Sequence, residues 1–269
     1  MPETPLYMVQ LGLDAKGLTT LGKMLHLPLA QTDTNYLVHC ALGELFQDDA
    51  PQPYCVEDES QSGRRVRVLG YTDEDADSLH TNAQLDAGPT VYDICDWDRC
   101  AAKPMPETFP EGTPLQFELR ACPVIRKASA GEGVNQSGET RSWDEGDELD
   151  AFLAEAWTRP EEDLSREEVY RDWLARQFDI RGGAEPQSIG MTRFSIERMI
   201  RRVPSGENGS GDRGTPDNGQ RTAHTIKRPD VTLTGTLEVT DSSAFVDLLR
   251  SGLGRHKSFG YGLLKVRRA

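Results

Sequence analysis

Two side chains near the N-terminus could move a proton on one substrate. Tyr36 and His39 stand three residues apart in Tyr36-Leu-Val-His39, and on a helix that spacing puts both on one face. General acid–base chemistry needs a base to take a proton from an attacking group and an acid to protonate the departing one, and imidazole titrates in the range that serves either task. Taken alone, a Tyr-x-x-His is also ordinary decoration of a helix surface. His26 is a rival for the same role, although Pro28 places it in a loop. His80 and His224 read as solvent-exposed, with His224 able to touch RNA.

A second constellation closes the chain. Arg250 to Arg268 holds six basic residues and no acidic one, in a protein whose formal net charge is -14. Gly252, Gly254, Gly260 and Gly262 surround Arg255, His256 and Lys257. Glycines let successive backbone N–H groups converge on one anion, so the segment reads as a phosphate-binding loop. A tight turn joining a helix to a strand explains the glycines alone, but not the cations beside them. A dinucleotide fingerprint is excluded, because Lys257 takes the place of the third glycine and the loop follows a helix. No Gly-Lys-Ser/Thr opens a helix, which excludes a P-loop. A third group, Arg193, Arg198, Arg201 and Arg202, is followed by Arg221, Lys227 and Arg228. A β-arm would carry these guanidinium groups along an RNA stem, which is read largely by shape and phosphate. A solvated charged surface is the alternative.

The elements that must position these residues follow from hydrophobic periodicity and capping signals. Residues 6–13 read as a strand, followed by a Gly- and Leu-rich connection. The run Asp33-Thr34-Asn35 caps a helix reaching Phe46. Strands are expected at 54–57, 65–71 and 91–97, with an acidic helix beginning near Thr72. A Pro-rich stretch, 103–114, divides the chain into domains 1–112 and 113–269. In the second, 115–125 alternates as a strand and 130–141 reads as a mobile loop. Helices are expected at 147–157 and 165–178, the second with a Ser165–Glu168 capping box. A basic arm follows at 191–203, then a flexible loop at 205–218. A strand at 231–239, a helix capped by 240–242 and a strand at 259–266 complete the order. Two tandem βαββαβ, ferredoxin-like halves of an α+β protein are the economical reading.

Composition adds exclusions. A length of 269 residues accommodates two cores, and 36% hydrophobic with 28% charged residues suits a water-soluble protein. The five cysteines lack Cys-x-x-Cys spacing, which supports neither a zinc site nor a disulfide framework. No cofactor is implied. No apolar run of membrane-spanning length occurs, and the first residues lack a secretory pattern, so the expected location is the cytoplasm.

The segment from Asp241 to Val266 resembles the C-terminal motif of the CasE-type CRISPR repeat-processing endoribonucleases of type I-E Cascade complexes. Gln116-Phe-Glu-Leu-Arg-Ala-Cys-Pro-Val124 is similar to that family's strand ending in Leu-Arg-Ala-Asn-Pro, with Cys122 in place of Asn. Gly235-Thr-Leu-Glu-Val-Thr-Asp241 is similar to its penultimate strand. The resemblance implies paired ferredoxin-like domains and a metal-independent endoribonuclease acting at the base of a CRISPR repeat hairpin. It implies 2′,3′-cyclic phosphate and 5′-hydroxyl products, retention of the cleaved RNA, and assembly with other Cascade subunits. Carried onto this chain, it makes His39 the acid or base and Tyr36 its partner in orienting or deprotonating the 2′-hydroxyl. Basic residues of the second domain would clamp the hairpin. A non-catalytic hairpin-binding subunit is the alternative reading.

Overall fold

The computed structural model describes residues 4–30, 32–58, 64–134, 137–159, 162–204 and 221–269. The loop expected at 205–218 lies outside them. The first half runs β1 (Tyr7–Asp14), α1 (Ala15–Met24), α2 (Thr34–Phe46), β2 (Tyr54–Asp58) and β3 (Arg65–Thr72). It continues through α3 (Ala76–Asp86), α4 (Pro89–Tyr92) and β4 (Ala101–Pro104). Its antiparallel sheet has the order β2-β3-β1-β4. Alternation along β1 sends Val9, Leu11 and Leu13 to one face, where they pack with Val66 and Val68 of β3. The same core takes Leu18 and Leu21 from α1, Val38, Ala41, Leu42 and Leu45 from α2, and Leu79 and Ala83 from α3.

The second half runs β5 (Pro114–Ala121), β6 (Val124–Arg126), β7 (Gly131–Val134), β8 (Thr140–Trp143), β9 (Glu148–Asp150) and α5 (Ala151–Thr158). It continues through α6 (Arg166–Arg181), β10 (Ala184–Pro204), β11 (Arg221–Val239), α7 (Ser242–Ser251) and β12 (Leu264–Arg268). Its main sheet, β10-β11-β5-β12, repeats the strand order of the first half. The fold is therefore the expected pair of ferredoxin-like units, with β6 to α5 inserted after the first strand of the second. Leu115, Phe117 and Leu119 of β5 and Val231, Leu233 and Leu237 of β11 pack on Tyr170, Trp173 and Phe178 of α6 and Phe245 and Leu249 of α7.

Several expectations are corrected. The connection after β1 is helix α1, capped by Asp14. The apolar run expected as a strand at 91–97 forms α4 and a tight turn, because Val91, Ile94 and Cys95 pack together on the helical side of the first core. The closing strand is instead the short, mostly exposed β4. The loop expected at 130–141 contains the β7–β8 hairpin, held where Trp143 and Trp157 stack with centroids 6.2 Å apart. Residues 257–259 form a 3₁₀ turn, so the last strand begins at Leu264.

The two halves share a core. Cys55, Leu69 and Tyr71, on the sheet face opposite the helices of the first half, join the apolar cluster of the second. Tyr71 donates its hydroxyl proton to the Leu264 carbonyl at 3.0 Å, and Lys265 Nζ lies 2.8 Å from Glu57 Oε1. These contacts fix the C-terminal segment against the first sheet. No helix among the described residues is long and apolar enough to cross a membrane.

Candidate functional site

Helix α2 starts at the junction of the halves. The Asp33 carboxylate accepts from Tyr36 N at 2.7 Å, an N-cap worth about 1 kcal/mol. Two residues on from Asp33, Asn35 Oδ1 accepts from Arg120 Nη1 at 3.2 Å. Arg120 belongs to β5 and makes a two-point contact with the buried Asp230 of β11, Nε–Oδ1 at 3.0 Å and Nη2–Oδ2 at 2.6 Å. Burial opposes the guanidinium charge, but Asp230 outweighs it and raises the Arg120 pKa. The helix bearing Tyr36 and His39 is thus anchored to the second sheet through a buried ion pair.

The C-terminal loop sits on that helix. The Phe259 ring lies parallel to Tyr36, centroids 6.0 Å apart, and 4.8 Å from the imidazole of His39. Tyr36 and His39 are themselves 5.9 Å apart. The Ser258 carbonyl accepts from Tyr54 Oη at 2.7 Å and also bonds His39. Burial lowers the His39 pKa below 6.5, only partly opposed by that hydrogen bond. The imidazole is therefore mainly neutral at pH 7, the form that accepts a proton. Tyr36 is buried and His39 half-buried. Tyr36, His39 and the Gly-rich loop, distant in sequence, come together at one place.

The loop closes at its neck, where Leu253 N donates to Gly262 O at 3.0 Å. Gly252, Gly254, Gly260 and Gly262 all have positive φ. At Gly252 a Cβ would stand 2.6 Å from Gly262 O and 2.8 Å from Pro53, so glycine is required by both conformation and contact. The N–H groups of Gly252 and Gly262 donate to Leu248 O and Arg120 O. The neck glycines thus seat the loop on protein. The cations stand further out. Arg255 and His256 reach Glu148, a residue the sequence reading did not single out, and Lys257 is half-buried, its pKa lowered by desolvation and by Arg181.

The basic arm is the β10–β11 hairpin. Arg193 and Arg198 are exposed on it. Backbone register pairs Arg198 with Lys227, Arg201 with His224 and Arg202 with Ala223. The side chains of Arg201, Arg202, Arg221 and His224 lie outside the described residues. Met199 turns inward to pack with Cys122, Val124 and Tyr261, and Phe259 packs on that cluster. His26 is exposed after α1, whereas His80, expected to be exposed, stacks on Tyr92 and Trp97. Among the described residues no group of three or more His, Cys, Asp or Glu could hold a metal ion.

Residues 6–268 match the model of a family described as CRISPR associated protein. The chain belongs to that family. No curated protein matches this CRISPR-associated chain. The CRISPR endoribonuclease Cse3 bound to a 19-nucleotide RNA is similar to it with a TM-score of 0.54 and 16% identity, over 97% of this chain and 99% of that one. Cse3 of Thermus thermophilus, bound to an RNA representing a pre-cleavage complex, gives 0.53 and 16%, over 98% and 99%. Cas6e of Escherichia coli gives 0.53 and 18%, over 98% and 100%. At these identities the likeness shows a shared fold. Arg120, Asn35 and Phe259 are the supporting residues that sequence reading missed. Arg120 and Phe259 stood inside the segments that carry the resemblance, but nothing local signalled their contacts with α2.

Proposed function

We propose that this chain is a metal-independent endoribonuclease that cuts CRISPR precursor RNA at the base of the repeat hairpin. The observation carrying this reading is the juxtaposition of Tyr36 and His39 with the cationic C-terminal loop, in a member of a CRISPR-associated family whose fold is shared with Cse3. The 2′-oxygen attacks the adjacent phosphorus and the bond to the 5′-oxygen breaks, leaving a 2′,3′-cyclic phosphate and a 5′-hydroxyl. His39 serves as the acid or base, and Tyr36 orients or deprotonates the 2′-hydroxyl. Cations of the loop offset charge on the phosphorane, a contribution of about 3 kcal/mol per well-placed donor.

Residues 1–112 carry the catalytic helix in this reading, and 113–269 grip the RNA. Arg193, Arg198, Arg201 and Arg202 follow the stem, while Arg255, His256 and Lys257 hold the backbone near the cut, on a loop whose neck glycines seat it against the protein. The product stays bound and the complex joins other Cascade subunits. The test is incubation of the purified protein with its own repeat RNA in EDTA, followed by analysis of the new ends. A single cut with a cyclic phosphate is expected. Tight binding with intact RNA identifies the non-catalytic subunit instead.

A further inference from the structure

Glu148 occupies a place built for an anion. It lies on β9, inside the segment inserted after β5, and its side chain is only 10% exposed. Two guanidinium groups and an imidazole from two other parts of the chain converge on its carboxylate. Arg228 Nη2 of β11 lies 3.3 Å from Oε2, Arg255 Nε of the C-terminal loop 2.5 Å from Oε1, and His256 Nε2 2.9 Å from Oε2. Burial alone would favour the protonated carboxyl, but His256 and Arg255 outweigh it and bring the pKa down to about 2.

The fit is incomplete. Arg228 Nε is buried without a hydrogen-bond partner, and the approach of His256 Nε2 to Glu148, though close, is not directed as a hydrogen bond. A planar carboxylate cannot meet every donor arranged around it, whereas a tetrahedral phosphodiester presents its acceptors in more directions. Arg255 is half exposed, at 45%, and so can follow an incoming strand. The place is also close to the proposed chemistry. The His256 ring is 6.3 Å from Phe259, whose ring is 4.8 Å from His39.

We propose that Glu148 is a resident stand-in for an RNA phosphate, filling a site made by Arg228, Arg255 and His256 until a strand entering beside His39 displaces it. The proposal rests on the RNA-cleaving reading above and adds an inhibitory contact to it. Glu148 keeps the cations ordered and their charge masked in the free protein, at a cost in affinity. RNA must break these pairs to bind, so strands able to place a phosphate among all three donors are favoured over those held by diffuse attraction.

The test is the affinity for the protein's own repeat hairpin with a 2′-deoxy nucleotide at the cut, which prevents cleavage. It is measured at one salt concentration for the wild type, Glu148→Gln, Arg255→Ala and the double variant. Glu148→Gln is expected to tighten binding about fivefold, near 1 kcal/mol, and the gain is expected to vanish in the Arg255→Ala background. Glu148→Asp, which keeps the charge but withdraws it by one methylene, covers the case in which the Gln variant does not fold. It too is expected to tighten binding. Unchanged or weaker binding by the folded variants overturns the proposal and makes Glu148 a support for the cations. That outcome leaves His39-dependent cleavage standing, whereas failure of the RNA-cleaving reading appears as uncut natural RNA.

Discussion

Replacing Arg120 with alanine strands a buried carboxylate. Asp230 is fully buried, and both of its oxygens accept from Arg120. Removing one partner of such a pair typically costs about 3–5 kcal/mol, because the remaining charge keeps its desolvation penalty without its compensation. The lost hydrogen bond to Asn35 adds roughly 1 kcal/mol. Against a folding free energy of about 5–15 kcal/mol, Arg120→Ala therefore removes a large share of the stability. It also frees the start of α2, so cleavage is expected to fall even where the protein stays folded. Urea denaturation followed by circular dichroism measures the first effect, and single-turnover cleavage well below the unfolding midpoint measures the second. The double variant Arg120→Met/Asp230→Leu isolates the cause. It removes both charges, and apolar replacement of both members of a buried pair is often close to neutral, so most of the stability is expected to return while cleavage stays impaired. A loss below about 1 kcal/mol for Arg120→Ala, or a double variant no more stable than the single, refutes the reasoning.

Phe259→Ala exposes His39, and the imidazole pKa, below 6.5 in the native protein, is expected to rise toward that value in an NMR titration. The native protein disfavours the imidazolium, so the His39 contribution to stability is intact above pH 6.5 and is lost as the pH falls below it. Phe259→Ala is expected to weaken that dependence, and an unmoved titration contradicts the covering role of Phe259. In β11, Gly235→Ala would put a Cβ 1.9 Å from Ser188 O, backbone that can yield only by distorting the sheet. A loss of about 3 kcal/mol in thermal or urea unfolding is expected. Gly43→Ala on α2 meets nothing within 4 Å and is expected to gain about 0.5–1 kcal/mol.

The sequence shows this fold where the physics is local. Asp33, Ser165 and Asp241 each accept the expected N-cap hydrogen bond, because a capping side chain acts on backbone within three residues. It is silent where packing overrides propensity. Helix α1 contains Gly17 and Gly22, poor helix formers, yet a Cβ at Gly22 would come within 2.6 Å of Leu29 and 2.8 Å of Leu37. The glycine allows close approach that no local pattern reports. Strand β4 is short and carries Lys103 and Pro104, so its place is set by pairing with β1 rather than by its own residues. At the site, Tyr36 and His39 were legible as a motif. Their cover by Phe259 and their anchoring through Arg120 and Asp230 join parts of the chain that only the folded sheet order brings together.

The central claim is that His39 carries the chemistry. Its most direct test is the single-turnover cleavage rate of repeat RNA in EDTA by the wild type and by His39→Ala, with hairpin affinity measured on the same preparations. Loss of a positioned acid or base predicts a rate about 10²–10⁴ lower with affinity unchanged. Cleavage by His39→Ala at the wild-type rate contradicts the account.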